Sequence, residues 1–184
     1  MATLVSTAKS ASANSYATLA ESNIYMQTVR SDQEKVWLKI TESTRERYLI
    51  MSTRLIDQHY DFIGYKTTTD QALQWPRQNS PKDGKWAKGF GLDYLDQDTI
   101  PSFLKDATAE LARILVDTDV TADPDGAGMK QIAMGGMAMT FNEKDRISQG
   151  VIRSSVYSFL RKYGSYKPSL NAGAASITMA RVSR

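Results

Sequence analysis

The sequence predicts a mainly α fold: a small bundle of about four helices with a β-hairpin, a long ordered loop and an extended C-terminal arm. Three observations carry this. Apolar residues recur at helical spacing over residues 41–60 and 99–118. Two runs of alternating residues flank Gly135-Gly136, a two-residue turn of the kind hairpins favour. Residues 61–99 break every periodicity yet hold Trp75 and Trp86, which a flexible linker would not carry. One domain over 1–166 and an arm over 167–184 are expected for a chain of 184 residues.

The elements follow in order. Residues 1–14 are small and polar and read as a flexible leader or a short edge strand near Ala2 to Val5. Thr18 and Glu21 have the capping-box spacing, so a helix starts there, with Leu19, Ile24 and Met26 inward and Tyr16 and Tyr25 nearby. Ser31 reads as the next N-cap, with Asp32 and Glu34 in the first turn and Val36, Trp37 and Ile40 apolar. The strongest helix covers 41–60, with Tyr48, Met51, Leu55 and Ile56 or His59 inward and Arg45, Glu46, Arg54 and Asp57 outward. In the loop, Pro76 holds Trp75 extended. Pro101 then opens a helix whose inner stripe is Phe103, Leu104, Ala107, Leu111, Ile114 and Leu115. The hairpin spans about 129–141 and is rich in methionine, an adaptable filler. A last helix is expected from about Ser148 to Tyr163, with Val151, Ile152, Val156, Phe159 and Leu160 inward and Gly164 as its C-cap.

Composition narrows the function. The chain is 41% hydrophobic and 23% charged, ordinary for a globular domain. A net charge of +3 is too small to make the whole protein a polyanion binder. Without cysteine there is no disulfide framework and no thiolate site. No signal-peptide pattern and no run of about 20 apolar residues is seen, so a soluble, cytoplasmically made product with no membrane partner is expected.

Catalytic constellations are thin. His59 is the only histidine, which excludes histidine-pair metal sites; it reads as a cap or packed side chain, charged more easily at a helix C-terminus. Asp123, Asp125 and Gly126 sit in calcium-loop phase from Thr121, but the twelfth position is Ile132 where a glutamate is needed, so the stretch reads as a turn. Gly84, Gly89 and Gly91 with Lys85 and Lys88 lack phosphate-loop spacing. Lys82, Lys85 and Lys88 with Trp86 and Phe90 could stack on and neutralise single-stranded nucleic acid, though packing on the bundle is the simpler reading. No enzyme activity, cofactor or metal is expected.

Two extended elements have no sheet of their own. The hairpin residues Ile132, Met134, Met137 and Met139 suit contact with a neighbouring subunit, since a lone hairpin is marginal in water. No acidic residue occurs from Gly150 to Arg184. Residues 171–176 are Ala-, Gly- and Ser-rich. Ile177, Met179 and Val182 then offer apolar anchors and Arg181 and Arg184 charge, in a backbone that could add to a partner's strand.

The motifs Asn14-Ser15-Tyr16, Trp75-Pro76-Arg77 and Ile100-Pro101, in that order, resemble the head-to-tail adaptor proteins of tailed bacteriophages, many labelled DnaT-like single-stranded-DNA-binding proteins. The resemblance covers nearly the whole chain. Its Trp-Pro-Arg block is the specific part; the loop 79–97 is longer and the hairpin turn is Gly-Gly rather than Gly-Pro. It implies a virion protein at the neck, assembled in the host cytoplasm. Its ring, usually of twelve copies, would lie below the portal protein, touch neighbouring subunits and a downstream neck or tail component, and let packaged DNA pass without specific binding. The arm, through Ile177, Met179, Arg181, Val182 and Arg184, would dock on the portal. A single-stranded-DNA-binding module is the alternative.

Overall fold

A computed structural model describes residues 3–84, 93–121, 131–134, 137–140 and 151–167, the two hairpin strands by their backbone alone. The fold is mainly α. Among the described residues five helices occur: α1 (Leu19–Thr28), α2 (Glu34–Lys39), α3 (Glu42–His59), α4 (Ser102–Asp117) and α5 (Ser154–Leu160). Six short strands join them: β1 (Tyr60–Phe62), β2 (Tyr65–Lys66), β3 (Arg77–Gln78), β4 (Gln131–Met134), β5 (Met137–Thr140) and β6 (Gly164–Tyr166). They pair antiparallel as β1–β6, β2–β3 and β4–β5.

The central helix is α4, which packs on α1, α3 and α5. Leu104, Ala107, Leu111 and Ala112 are fully buried there, and Phe103 and Ile114 are half-buried against the core. The main core joins α3, α4 and α5 to Tyr16, Leu73 and Trp75. A second cluster packs α1 and α2 onto the other side through Tyr25, Met26, Trp37 and Leu49.

Local chemistry explains the helix starts. Thr18 and Glu21 form the expected capping box on α1. The N-cap of α2 is Gln33 and not Ser31, and its side chain makes no cap bond. Pro101 is the N-cap of α4 rather than its first helical residue. The last helix begins only at Ser154, after extended Arg153, and its C-cap is Arg161. Gly164 is therefore not a helix cap. It lies in β6 opposite Phe62, where a Cβ would stand 2.1 Å from the Asp61 carbonyl oxygen.

Other expectations are also corrected. Residues 3–16 are no flexible leader and no strand: Asn14 N–H donates to the Val5 carbonyl (2.8 Å), and Ala72 N–H to that of Ser10 (3.2 Å). Ile24 and Met51 face solvent, because Ser22, Tyr25 and Met26 in α1 and Leu49, Ile50 and Leu55 in α3 fill the inner faces. Arg45, expected outside, is buried: its guanidinium donates to Asn23 Oδ1 (2.8 Å), which also accepts from the Trp37 indole (2.9 Å). The loop over 61–99 is partly sheet, since β1, β2 and β3 lie within or beside it and Pro81 bridges Tyr94.

Candidate functional site

The motif residues converge on one buried clasp. Asn14 anchors the N-terminal segment: Oδ1 accepts from Val5 N–H (2.8 Å) and Nδ2 donates to the Thr3 carbonyl (2.9 Å). Ser15 Oγ donates to the Ala17 carbonyl (2.7 Å). Tyr16, fully buried, receives its place from α3. Its N–H donates to Thr53 Oγ1 (3.1 Å) and its hydroxyl donates to Asp57, one turn further along. Gln74 N–H then donates to both the Tyr16 hydroxyl (3.2 Å) and Asp57 Oδ2 (3.2 Å). Three stretches distant in sequence meet at one carboxylate.

The following residues turn the chain. The Trp75–Pro76 peptide is cis. Trp75 is buried and meets Phe62 and Phe103 edge-on, each at 5.6 Å between ring centroids. Phe103 in turn stacks on Tyr163 at 3.9 Å. Arg77 closes the turn from inside. Its guanidinium donates to the carbonyls of Ile63 (3.0 Å), Phe62 (3.2 Å), Gln74 (3.2 Å) and Gly64, and to Gln74 Oε1 (3.0 Å). An arginine whose donors all point at internal acceptors has none left for a phosphate. Ile100 is buried and Pro101 half-buried, where the loop enters α4.

Burial dominates the electrostatics of the clasp. It pushes the Asp57 carboxyl up to about 6, against the Tyr16 and Gln74 hydrogen bonds and the Lys66 and Arg77 charges, which favour ionisation. Burial, and then the neighbouring Asp57, raise the Tyr16 hydroxyl well above its ordinary value. His59 stacks on Tyr166 at 6.2 Å. Burial and then the Lys167 charge lower its pKa, against the preference for the charged form expected at a helix end.

Several described surface cations have a carboxylate partner within the chain, while Lys35 and Lys39 on α2 and Arg47 and Arg54 on α3 are exposed and form no ion pair among the described residues. Lys105 pairs with Glu21 (2.6 Å), Lys82 with Asp93 (2.5 Å), Lys167 with Asp61 (2.7 Å), Lys9 with Asp98, and Arg113 with buried Glu110 (2.9 Å). Lys82, one of the loop lysines read as a possible nucleic-acid contact, is thus compensated. Arg153, Arg161 and Lys162 on and beside α5 have no ion pair among the described residues, and Tyr157 between them is 39% exposed. Among the described residues no group of three histidine, aspartate or glutamate side chains could hold a metal ion, and no helix is long and apolar enough to cross a membrane.

Of the residues singled out from sequence, Asn14, Ser15, Tyr16, Trp75, Pro76, Arg77, Ile100 and Pro101 are brought into this one framework. The hairpin pairs as expected, with Ile132 opposite Met139 and Met134 opposite Met137. The arm residues Ile177, Met179, Arg181, Val182 and Arg184 lie outside the described residues, as do Lys85, Trp86, Lys88, Phe90, Asp123, Asp125 and Gly126. Sequence reasoning missed Asp57 and Gln74 as members of the clasp. It noted that the segment after Gly150 has no acid but did not single out Arg153, Tyr157 and Arg161, although their spacing was there to be read.

The described residues thus form a small, mainly α domain whose sequence-motif residues are knitted into one buried polar clasp. The chain belongs to the family described as "Putative DnaT-like ssDNA binding protein", whose family model matches residues 1–184. Comparison with curated proteins and with solved structures finds no match in either.

Proposed function

We propose that the protein is a non-catalytic head-to-tail adaptor of a tailed bacteriophage. Its copies would form a ring, of twelve by the resemblance, below the portal protein. The ring would extend the DNA channel and offer a platform to the next neck or tail component. Residues 167–184 are the docking arm. In it Ile177, Met179 and Val182 act as apolar anchors, and Arg181 and Arg184 answer acidic groups of the portal and steer encounter. The hairpin strands are offered to neighbouring subunits. Each arm binds modestly, and repetition around a ring multiplies the effect.

The observation that carries this reading is the fixed root of the arm. Lys167 N–H donates to the His59 carbonyl (2.8 Å), its ammonium pairs with Asp61, and β6 just before it is zipped to β1. An arm rooted on a rigid body reaches its partner with less entropy to lose than a frayed tail. Further support comes from the motif residues, which form internal framework rather than an open groove.

Binding to the portal ring encoded nearby tests it. Full-length protein is expected to decorate that ring. Ile177→Asp/Met179→Asp is expected to bind about tenfold or more weakly at unchanged melting temperature. Equal binding by both chains removes the arm from the interface, and no binding by either removes the adaptor reading. The second reading, a single-stranded-DNA-binding module, is favoured by the family's description and by the uncompensated cations around α5.

A further inference from the structure

We infer that the outer face of α5 is a contact surface for single-stranded DNA, in which Arg153, Arg161 and Lys162 neutralise phosphates and Tyr157 stacks on a base. The inference rests on the DNA-binding reading and not on the adaptor one.

The face follows from helix geometry. Val156 and Leu160 form the inner ridge of α5 and are buried, as is Ile152 just before the helix. The next two ridges, Arg153–Tyr157–Arg161 and Ser154–Ser158–Lys162, therefore turn outward, and all six residues are exposed or half-exposed. The two arginines stand about 12 Å apart along the axis with the tyrosine midway. That is the alternation of charge and ring that follows a flexible strand, because every base has a face to stack and every nucleotide a phosphate to neutralise.

Charge complementarity names the occupant. From Gly150 onward the sequence has no acid. Asp61, the acid opposite β6, is already held by Lys167. Asp83, on the turn beside Lys162, acts on Tyr163, and the cations of α5 form no ion pair among the described residues, whereas Lys9, Lys82, Lys105 and Lys167 each have one. Arg47 and Arg54 on α3 are also exposed and unpaired, but they share their helix with Glu42 and Glu46 and have no exposed ring between them. They provide the control.

The experiment is fluorescence anisotropy of the full-length protein with a labelled oligothymidylate of about 20 nucleotides, over a range of salt. Arg153→Ala/Arg161→Ala/Lys162→Ala is expected to weaken binding roughly 10- to 100-fold at low salt. It should also flatten the plot of log K against log salt by about 2, near 0.7 for each phosphate that is no longer neutralised. Tyr157→Leu, which keeps an apolar contact with Tyr60, should weaken binding about tenfold and leave the slope unchanged, while Tyr157→Phe should bind like the parent. Arg47→Ala/Arg54→Ala should stay within about twofold. A triple variant that binds like the parent, or an α3 control that falls as far, overturns the α5 surface while DNA binding stands. Duplex bound as tightly as single strand overturns the stacking role and with it the inference. No binding by the parent chain overturns both the inference and the DNA-binding reading.

Discussion

Arg77 and Arg161 are the same residue type in opposite circumstances. Arg77 lies inside the turn around Trp75 and directs its donors at four carbonyls and one amide oxygen. Arg161 ends a short helix, is exposed, and has no ion pair among the described residues. The tyrosines divide likewise: Tyr16 is fully buried on Asp57, while Tyr157 is open to solvent on one side. The first pair is committed to the fold and the second is left for something else. A motif specific in sequence can therefore mark architecture, while a plain basic helix leaves its charged and aromatic side chains at the surface.

Substitutions at three positions would break or sharpen that contrast. The largest effect is expected at Arg77→Ala, which strands several buried carbonyls at once and should cost about 3–4 kcal/mol in a urea unfolding experiment. Arg77→Lys should recover only part of it, because an ammonium cannot reproduce the planar fork. If Arg77→Ala is as stable as the parent, the clasp is not what holds the loop.

Asp57→Asn comes next and changes sign with pH. The folded pKa, about 6, is raised above the unfolded value near 3.8, so the folded state binds the proton more tightly. The contribution of this group to stability is greatest below about pH 4 and declines as pH rises through 6. Asparagine, like the protonated acid, presents one acceptor and one donor, so it removes the buried charge and one of the two acceptors that Tyr16 and Gln74 use. The variant should match the parent near pH 4 and exceed it by about 1–3 kcal/mol at pH 7.5, read from denaturation at both values. A parent whose margin over the variant grows with pH would show that the ionised carboxylate is favoured after all.

Gly164→Ala is the mildest and lies on the other side of the comparison. A methyl 2.1 Å from the Asp61 carbonyl oxygen forces β6 away from β1, at about 1–3 kcal/mol. The amides of Ile63 and Lys167, which bond across this pairing to the Tyr163 and His59 carbonyls, should exchange faster while α4 stays protected. The root of the arm then loosens without the core.

Much of this could be read from the chain. The α4 stripe, the Thr18–Glu21 box and the hairpin register follow from periodicity and turn chemistry. What was not legible depends on partners far away in sequence. Asp57 looks like a solvent residue until Tyr16, 41 positions earlier, is placed against it. Arg45 turns inward only because Asn23 waits on α1. Strands of two or three residues are too short to show alternation, and it is pairing that makes them strands. Gly164 was misread because a glycine after a helix has the same look whether it caps that helix or lets two backbones approach.

The pairing of β1 with β6 has a consequence for the order of events in synthesis. Tyr60 emerges early and must wait for Tyr166, more than a hundred residues later, before its register is complete. Late, long-range closure of this kind is slow and leaves a strand edge open in the meantime. The segment beyond Lys167 is therefore presented from a fixed point only by a chain that has finished folding. A nascent or misfolded copy has no such anchored root.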